Sequence, residues 1–268
     1  MTDSSPDAMI LPPAMLKRAR EFTGPPATAR PAATVVLLRP SGSASFEVYV
    51  LKRATTMVFG GVYAFPGGTV DPSDRPSTIR TDWADRLGVP PEQAHAVVGA
   101  AARELFEETG VLLAGPVGEP DRTVATTDGV DWESDRARVQ RRELSMTELL
   151  ERRGLRLRDD LLLPWARWIT PEFEPKRFDT WFFVALLPES QATHDVSGEA
   201  DGTDWLEPAA TAGLPMLPPT RHTLRHLAAC STIADVIAAS AHRDAATPVQ
   251  PRITLTPDGQ ATLHVPSP

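Results

Sequence analysis

Apolar residues first gather at Ala33-Thr34-Val35-Val36-Leu37-Leu38, a β-branched run closed by Pro40. Ser-Gly-Ser at 41–43 reads as a turn, and beyond it Phe46, Val48 and Val50 alternate with Glu47, Tyr49 and Leu51, the period of a strand. The two runs predict a β-hairpin. A glycine-rich loop follows, from Gly60-Gly61 to Phe65-Pro66-Gly67-Gly68. From about Ala94 to Thr109 the chain is alanine-rich with helical spacing, and Gly110 after it suits the left-handed position that ends a helix. Val111-Leu112-Leu113 predicts a strand, residues 134–153 two charged helices, Phe178 to Leu186 a buried strand, and Arg221 to Ala239 one helix. Ile253-Thr254-Leu255 and Thr262-Leu263-His264-Val265 flank Asp258-Gly259, a strong hairpin signal. Residues 1 to about 30, rich in Pro, Ala, Ser and Thr, read as a flexible arm with one short helix around Met15 to Phe22. Strands and helices mix without a βαβ rhythm or a repeat, which predicts one α+β domain with insertions over 31–268.

Composition narrows the function more than the fold. The 27 prolines are about twice the usual share of ~5%, so long regular repeats are excluded. One cysteine, Cys230, rules out a disulfide framework and a cysteine-based zinc site and fits a reducing compartment. The formal charge of −8 argues against partners that want a basic face, namely nucleic acid and anionic membrane. No apolar run approaches the ~20 residues needed to cross a bilayer. The acidic start, cut by Pro12 and Pro13, is a poor signal peptide, and Pro266-Ser267-Pro268 is no peroxisomal tripeptide, so a cytoplasmic location is expected. Arg136, Arg138, Arg141, Arg142, Glu148 and Glu151 read as a solvated charged face.

The stretch that points to chemistry is Arg103-Glu104-Leu105-Phe106-Glu107-Glu108-Thr109-Gly110-Val111. On a helix Glu104, Glu107 and Glu108 share one arc of ~100°, whereas Val98, Ala101, Ala102 and Leu105 lie on another and face a core. Three carboxylates on one face repel each other, and two of them sit in the last turn, where the helix dipole disfavours negative charge. A hard divalent cation, Mg2+ or Mn2+, removes both penalties. Arg103, one turn before Glu107, can hold that carboxylate in place.

The pattern Arg-Glu-aliphatic-x-Glu-Glu-x-Gly-aliphatic resembles the second half of the Nudix box, and Phe65-Pro66-Gly67-Gly68 resembles the element that opens it. The resemblance implies a Nudix-type α/β/α sandwich around a mixed sheet, with a C-terminal helix and β-hairpin. The box is split over 65–111, and a helical insertion spans about 116–165. Gly68 and Arg103 are 35 positions apart, about 21 more than an uninterrupted box has. The first-half glutamate of the box would fall on His95, which points away from the three glutamates, leaving Asp71, Asp74 and Glu92 as stand-ins.

By the same resemblance, Glu104 and Glu108 are the main metal ligands, and Glu107 is a further ligand or a base. Gly67 and Gly68 let phosphates approach closely, Arg53 and Arg177 contact phosphate, and Glu199, in a late loop, completes the site. The reaction implied is divalent-metal-dependent hydrolysis of a nucleoside diphosphate linked to another moiety. The split box and Lys176-Arg177-Phe178-Asp179-Thr180 resemble the branch that includes the peroxisomal coenzyme A diphosphatases, so coenzyme A or acyl-CoA is the substrate implied. Hydrolysis of ADP-ribose, NADH or nucleotide sugars is the alternative within the class. A non-catalytic nucleotide-binding module is the alternative outside it. The partner is a small molecule, and a second copy of the chain in a homodimer is compatible with all three. His222 and His226, four apart on a helix, lack a third zinc ligand and read as packing, as do Trp165, Trp168, Trp181 and Trp205.

Overall fold

In the computed structural model, residues 9–10, 13–42, 45–55, 60–194, 200–255 and 261–265 are described. A short strand β1 (Met9–Ile10) and a helix α1 (Pro13–Glu21) precede the hairpin of β2 (Ala29–Ser41) and β3 (Ser45–Arg53). The glycine-rich loop contains β4 (Tyr63–Ala64) and β5 (Gly67–Thr69), and helices α2 (Trp83–Leu87) and α3 (Pro91–Thr109) follow. Next come β6 (Ala114–Pro116), α4 (Val130–Gln140), α5 (Met146–Arg152) and β7 (Leu155–Leu157). Strands β8 (Leu163–Ile169), β9 (Arg177–Leu186) and β10 (Ala200–Leu206) lead to α6 (Pro218–Ala228) and α7 (Ile233–Ser240). Strands β11 (Pro248–Val249), β12 (Arg252–Leu255) and β13 (Ala261–His264) end the chain.

The main sheet runs β10-β3-β2-β9-β8-β11, with β4 on β3 and β5 on β2. Strands β2 and β9 pair in parallel from Ala29 opposite Arg177 to Leu38 opposite Leu186, and most other pairs are antiparallel. Being covered on both faces, β2 needs no polar side, which is why Val35 to Leu38 read as a continuous apolar run. Ala33, Val35 and Leu37 meet α3 and the insertion helices, while Val36 and Leu38 meet the α6 side. The result is the α/β/α sandwich expected. Helix α3 stops at Gly110 (φ 75°), as its sequence predicts, and starts three residues before the expected Ala94, with Pro91 at its first position.

Three expectations are corrected. The described part of the N-terminal arm is docked: β1 pairs with β13, Met15, Leu16 and Ala19 pack around Leu263, and Arg18 meets the buried Glu174 at 2.9 Å. An amphipathic stripe on α1 was hidden inside a disorder-like composition. Val111 to Leu113 form no strand, because the backbone of Leu112 is paired by the Gln191 side chain in both directions, at 2.9 and 3.0 Å. The helix expected over 221–239 breaks in two, since Thr232 caps α7 reciprocally with Asp235.

Candidate active site

Helix α3 crosses the sheet over β2 and β5, and its Arg103 is the hub of the site. Although 1% exposed, Arg103 uses its whole fork. Its Nε and Nη2 donate to the Asp74 carboxylate at 2.7 and 2.9 Å. Nη1 donates to Glu104 Oε1 at 2.6 Å and to Glu107 Oε1 at 3.1 Å, and Nη2 also reaches the Thr69 carbonyl at 2.9 Å. Burial works to lower the pKa of this arginine, but the hydrogen bond to Asp74 and the charges of Glu104, Asp74 and Glu107 outweigh it and raise it. Arg103 therefore stays charged and fixes three carboxylates at once.

Of the three stand-ins for the missing box glutamate, Asp74 is the one hydrogen-bonded to Arg103. It lies on the segment between the box halves, where its backbone N–H bonds the Asp71 carbonyl and its Oδ2 accepts the Asp71 N–H. The loop can lie this close because α3 carries Gly99 beneath it: a Cβ there would come within 3.1 Å of the Asp74 backbone. Of the other two stand-ins, Glu92 is exposed in the first turn of α3, about 17 Å of helix rise before Arg103. Asp71 shapes the loop, and hydrogen bonds from Ser73 lower its pKa. His95 is half-buried, about 12 Å of rise before Arg103.

The glycine pair is in contact with the glutamates. The Gly67 N–H donates to Glu108 Oε2 at 2.8 Å, and a Cβ on Gly68 would stand 2.4 Å from Glu104 Oε1, so any side chain there would displace the carboxylate. Burial, with Glu107 adding to it against the opposing pull of Arg103, pushes Glu104 up to about 7, and burial also raises Glu107.

Helices α4 and α5 form the wall beside the last turns of α3. Trp132 meets Phe106 edge-to-face at 6.4 Å between centroids, and Met146, Leu149 and Leu150 join the α3-side core. Two arginines, Arg136 on α4 and Arg142 in the turn after it, depart from the solvated face expected of this segment. Arg136, buried, donates to the Glu107 carbonyl at 2.9 Å, which offsets the negative end of the helix dipole. Arg142 is bonded to the Glu107 carboxylate and lies 3.6 Å from Asp71. Arg141 and Glu143 do pair in solvent as expected.

Five carboxylates (Asp71, Asp74, Glu104, Glu107 and Glu108) thus meet two guanidiniums, Arg103 and Arg142, an excess of three negative charges when all are ionised. This all-oxygen donor set and its charge suit a hard divalent cation. Each glutamate is turned toward a protein donor, and among the described residues no three acidic, histidine or cysteine side chains already converge on one point. A cation would draw them together.

The other expected site residues divide. Alternation along β3 puts Arg53 on the side of Tyr49, which belongs to the α3-side core, and the buried Nε of Arg53 has no hydrogen-bond partner among the described residues. Arg177 is committed elsewhere, its Nε to the Thr170 carbonyl at 3.0 Å and its Nη1 to Ala27 at 2.8 Å, both inside the fold. Glu199 lies outside the described residues, just before β10, whose first residue Ala200 pairs with Arg53. His222 meets Trp168 and His226 edge-to-face, and His226 Nδ1 faces Arg243 at 2.8 Å, an arrangement for packing. Trp165, Trp168 and Trp181 are buried, and Trp205 is shared between Tyr49 and Arg39.

Comparison with known proteins agrees with this geometry. Residues 78–214 match the family described as the NUDT19 Nudix domain. The chain is 31% identical over 201 residues to nudix hydrolase 7 of Caenorhabditis elegans, covering 71% of this chain and 57% of that one, so it spans a little over half of that relative's length. Against human acyl-coenzyme A diphosphatase NUDT19 it is 26% identical over 274 aligned positions, covering 84% of this chain and 72% of that protein. The crystal structure of a NUDIX hydrolase from Alicyclobacillus acidocaldarius superposes with a TM-score of 0.63 at 28% identity, covering 82% of this chain and 99% of the other. With a family match over more than half of its length and its split box closed around Arg103, the chain belongs to the Nudix hydrolase family.

Proposed function

We propose that the protein hydrolyses the diphosphate of coenzyme A or an acyl-CoA, releasing 3′,5′-ADP and the 4′-phosphopantetheine portion. The observation that carries the chemistry is the hydrogen-bonded set of Asp74, Glu104 and Glu107 around Arg103, with Glu108 held by the Gly67 N–H and Gly68 against Glu104. The substrate rests on the name of the human relative, which is that of an acyl-coenzyme A diphosphatase.

The diphosphate is anionic and repels a nucleophile, so the site must supply compensating charge without blocking approach. Glu104 and Glu108 would hold Mg2+ or Mn2+, which neutralises charge on the phosphates and acidifies water. Glu107 serves as a further ligand or as the base. Glu199 joins this set from its loop. Gly67 and Gly68 have no side chain to stand between phosphate and backbone. Water's oxygen bonds to phosphorus and gives up a proton to the base, for which Glu107 is the candidate, as the bridging P–O bond breaks and the leaving phosphate carries away the electron pair. Arg53 is the proposed contact for the 3′-phosphate, in preference to Arg177, which is buried with its Nε and Nη1 donating to backbone carbonyls inside the fold.

Among the described residues no helix is long and apolar enough to cross a membrane. The cytoplasm is the proposed location, in keeping with the single cysteine.

The test is kcat/KM for coenzyme A, acyl-CoA, ADP-ribose and NADH with Mg2+ and with Mn2+, products identified by mass spectrometry. Preference for a coenzyme A compound is expected. A tenfold preference for ADP-ribose or NADH rejects the substrate and keeps the chemistry, and inactivity on all four favours a binding module.

A further inference from the structure

Three helices near the acidic face end on a glycine in left-handed backbone: α2 at Gly88 (φ 64°), α3 at Gly110 (φ 75°) and α5 at Gly154 (φ 65°). Helix α4 ends by the same geometry. The Arg142 N–H donates to the Val139 carbonyl and the Glu143 N–H to the Arg138 carbonyl, both at 2.9 Å, the paired bonds of a Schellman turn. Here the left-handed position, φ 61°, holds an arginine, the only non-glycine residue with positive φ among those described. An L side chain in this conformation crowds its own carbonyl, and glycine is favoured. The helix end by itself selects against Arg142, so its side chain must account for it.

That side chain spans the outer edge of the site. Nη1 is bonded to the Glu107 carboxylate and, at 3.0 Å, to the Val139 carbonyl, while Nε lies 3.6 Å from Asp71. Nη2 carries no hydrogen bond among the described residues, and the side chain is 40% exposed where that of Arg103 is 1% exposed. Arg103 has no donor left for a ligand. Arg142 has a free edge, facing solvent, beside carboxylates that would otherwise repel an anion.

We propose that Arg142 is a substrate-binding residue, which keeps one nitrogen on Glu107 and donates from its free edge to a phosphate oxygen of the bound nucleoside diphosphate. The insertion between the halves of the fold would thereby supply the site with a cation that the box itself does not encode. A guanidinium fork suits this task, since it can serve a carboxylate and a phosphate at once. The inference rests on the nucleoside diphosphate reading above but not on which derivative is cleaved.

ADP, a moiety common to coenzyme A, ADP-ribose and the dinucleotides, is therefore the probe. Binding of ADP with Mn2+ would be measured by calorimetry for the wild type, Arg142→Gly and Arg142→Lys, and Mn2+ affinity without nucleotide by electron paramagnetic resonance. Glycine fits the turn, so Arg142→Gly should keep its Tm within about 4 °C of wild type. Its Kd for ADP should rise about 10- to 100-fold, the range of a charged hydrogen bond. Its Mn2+ affinity should hold or tighten, because a competing cation leaves Glu107. Arg142→Lys, which keeps the charge and loses the fork, should fall between. A Kd for ADP within twofold of wild type in Arg142→Gly overturns the inference. So does a parallel loss of Mn2+ affinity, which would make Arg142 a prop for Glu107 alone. Failure of coenzyme A cleavage leaves this experiment unaffected.

Discussion

Against the α3 face of the sheet, Asp74, Arg103, Glu104 and Glu107 are all less than a tenth exposed, and each is hydrogen-bonded. Against the α6 face the buried set is Val36, Val48, Val50, Phe182, Leu224 and Leu227, with Trp165 and Trp168 among them. The buried polar atoms of that second face are neutral ones, and the indole nitrogens of Trp165 and Trp168 and the hydroxyl of Thr223 have no hydrogen-bond partner among the described residues. A neutral donor left unpaired costs a few kcal/mol at most, whereas an unpaired buried charge costs far more. The acid cluster around Arg103 is under that discipline, and it bears the larger desolvation cost to hold carboxylates at fixed positions. Apolar side chains of similar volume would stabilise it as well or better. The difference marks the α3 face as the one shaped for chemistry.

Deleting one member from each face sharpens the contrast most. Asp74→Ala leaves Arg103 buried without its bidentate partner and should cost about 3–5 kcal/mol. Leu227→Ala, fully buried on the other face, should cost a comparable ~2–5 kcal/mol through transfer and cavity terms. Denaturant titration would see two similar losses. Metal titration would separate them: Asp74→Ala should weaken Mn2+ binding by about 10- to 100-fold, as loss of a residue orienting the ligands does, and Leu227→Ala should not. Equal metal affinity in the two variants would mean that Asp74 is only a structural acid.

Glu104→Gln and Glu108→Gln test the acids themselves. Each should lower kcat by at least ~10²-fold, since charge stabilisation of the transition state is lost. Without metal, Glu104→Gln should not destabilise, and pH should reveal why. The folded-state pKa of Glu104 is pushed up to about 7 by burial, above its ordinary value of 4.5. Between those values the folded state keeps a proton that the unfolded chain has released, so stability falls as pH rises through the window. The glutamine variant lacks this loss. Its Tm in chelator should exceed that of the wild type near pH 8 and converge with it near pH 5. A wild type whose metal-free stability rises from pH 5 to 8 more than that of the variant would remove burial as the dominant influence on Glu104.

The sheet faces were unequally legible in sequence. A β-branched run marked β2, alternation marked β3, and the Gly110 stop and glutamate spacing marked α3, because each is a local signal. Asp74 could be named only as one of three stand-ins, since its choice depends on a fold-back of the loop onto Gly99 that no period encodes. Arg136 and Arg142 were read as solvated because their partner, Glu107, is about 30 residues away and belongs to another element. A charged helix carries the same pattern whether it faces water or a buried acid. The α6 helix misled in the other direction: apolar spacing ran on through Ala229 to Thr232, and only the Thr232–Asp235 cap shows the break.

The smallest effects belong to the two residues that the uninterrupted box pattern would have favoured. His95 sits where the box glutamate would fall, and Glu92 is the acid nearest to it on α3. Both lie toward the start of α3, at about 1.5 Å of rise per residue a dozen or more ångströms from Arg103, and neither is hydrogen-bonded to the cluster in which Asp74 holds Arg103. Over such a distance, with Glu92 in solvent, screening leaves little interaction with the metal-binding acids. His95→Ala and Glu92→Gln should therefore each leave Mn2+ affinity within about threefold, less than ~0.7 kcal/mol, and kcat unchanged. A tenfold loss in Glu92→Gln would show that α3 or the loop beneath it repositions when the cation binds. Asp74 would then share the outer position with an acid that it excludes in the present geometry, and the contrast between a fixed α3 face and an adaptable α6 face would no longer hold.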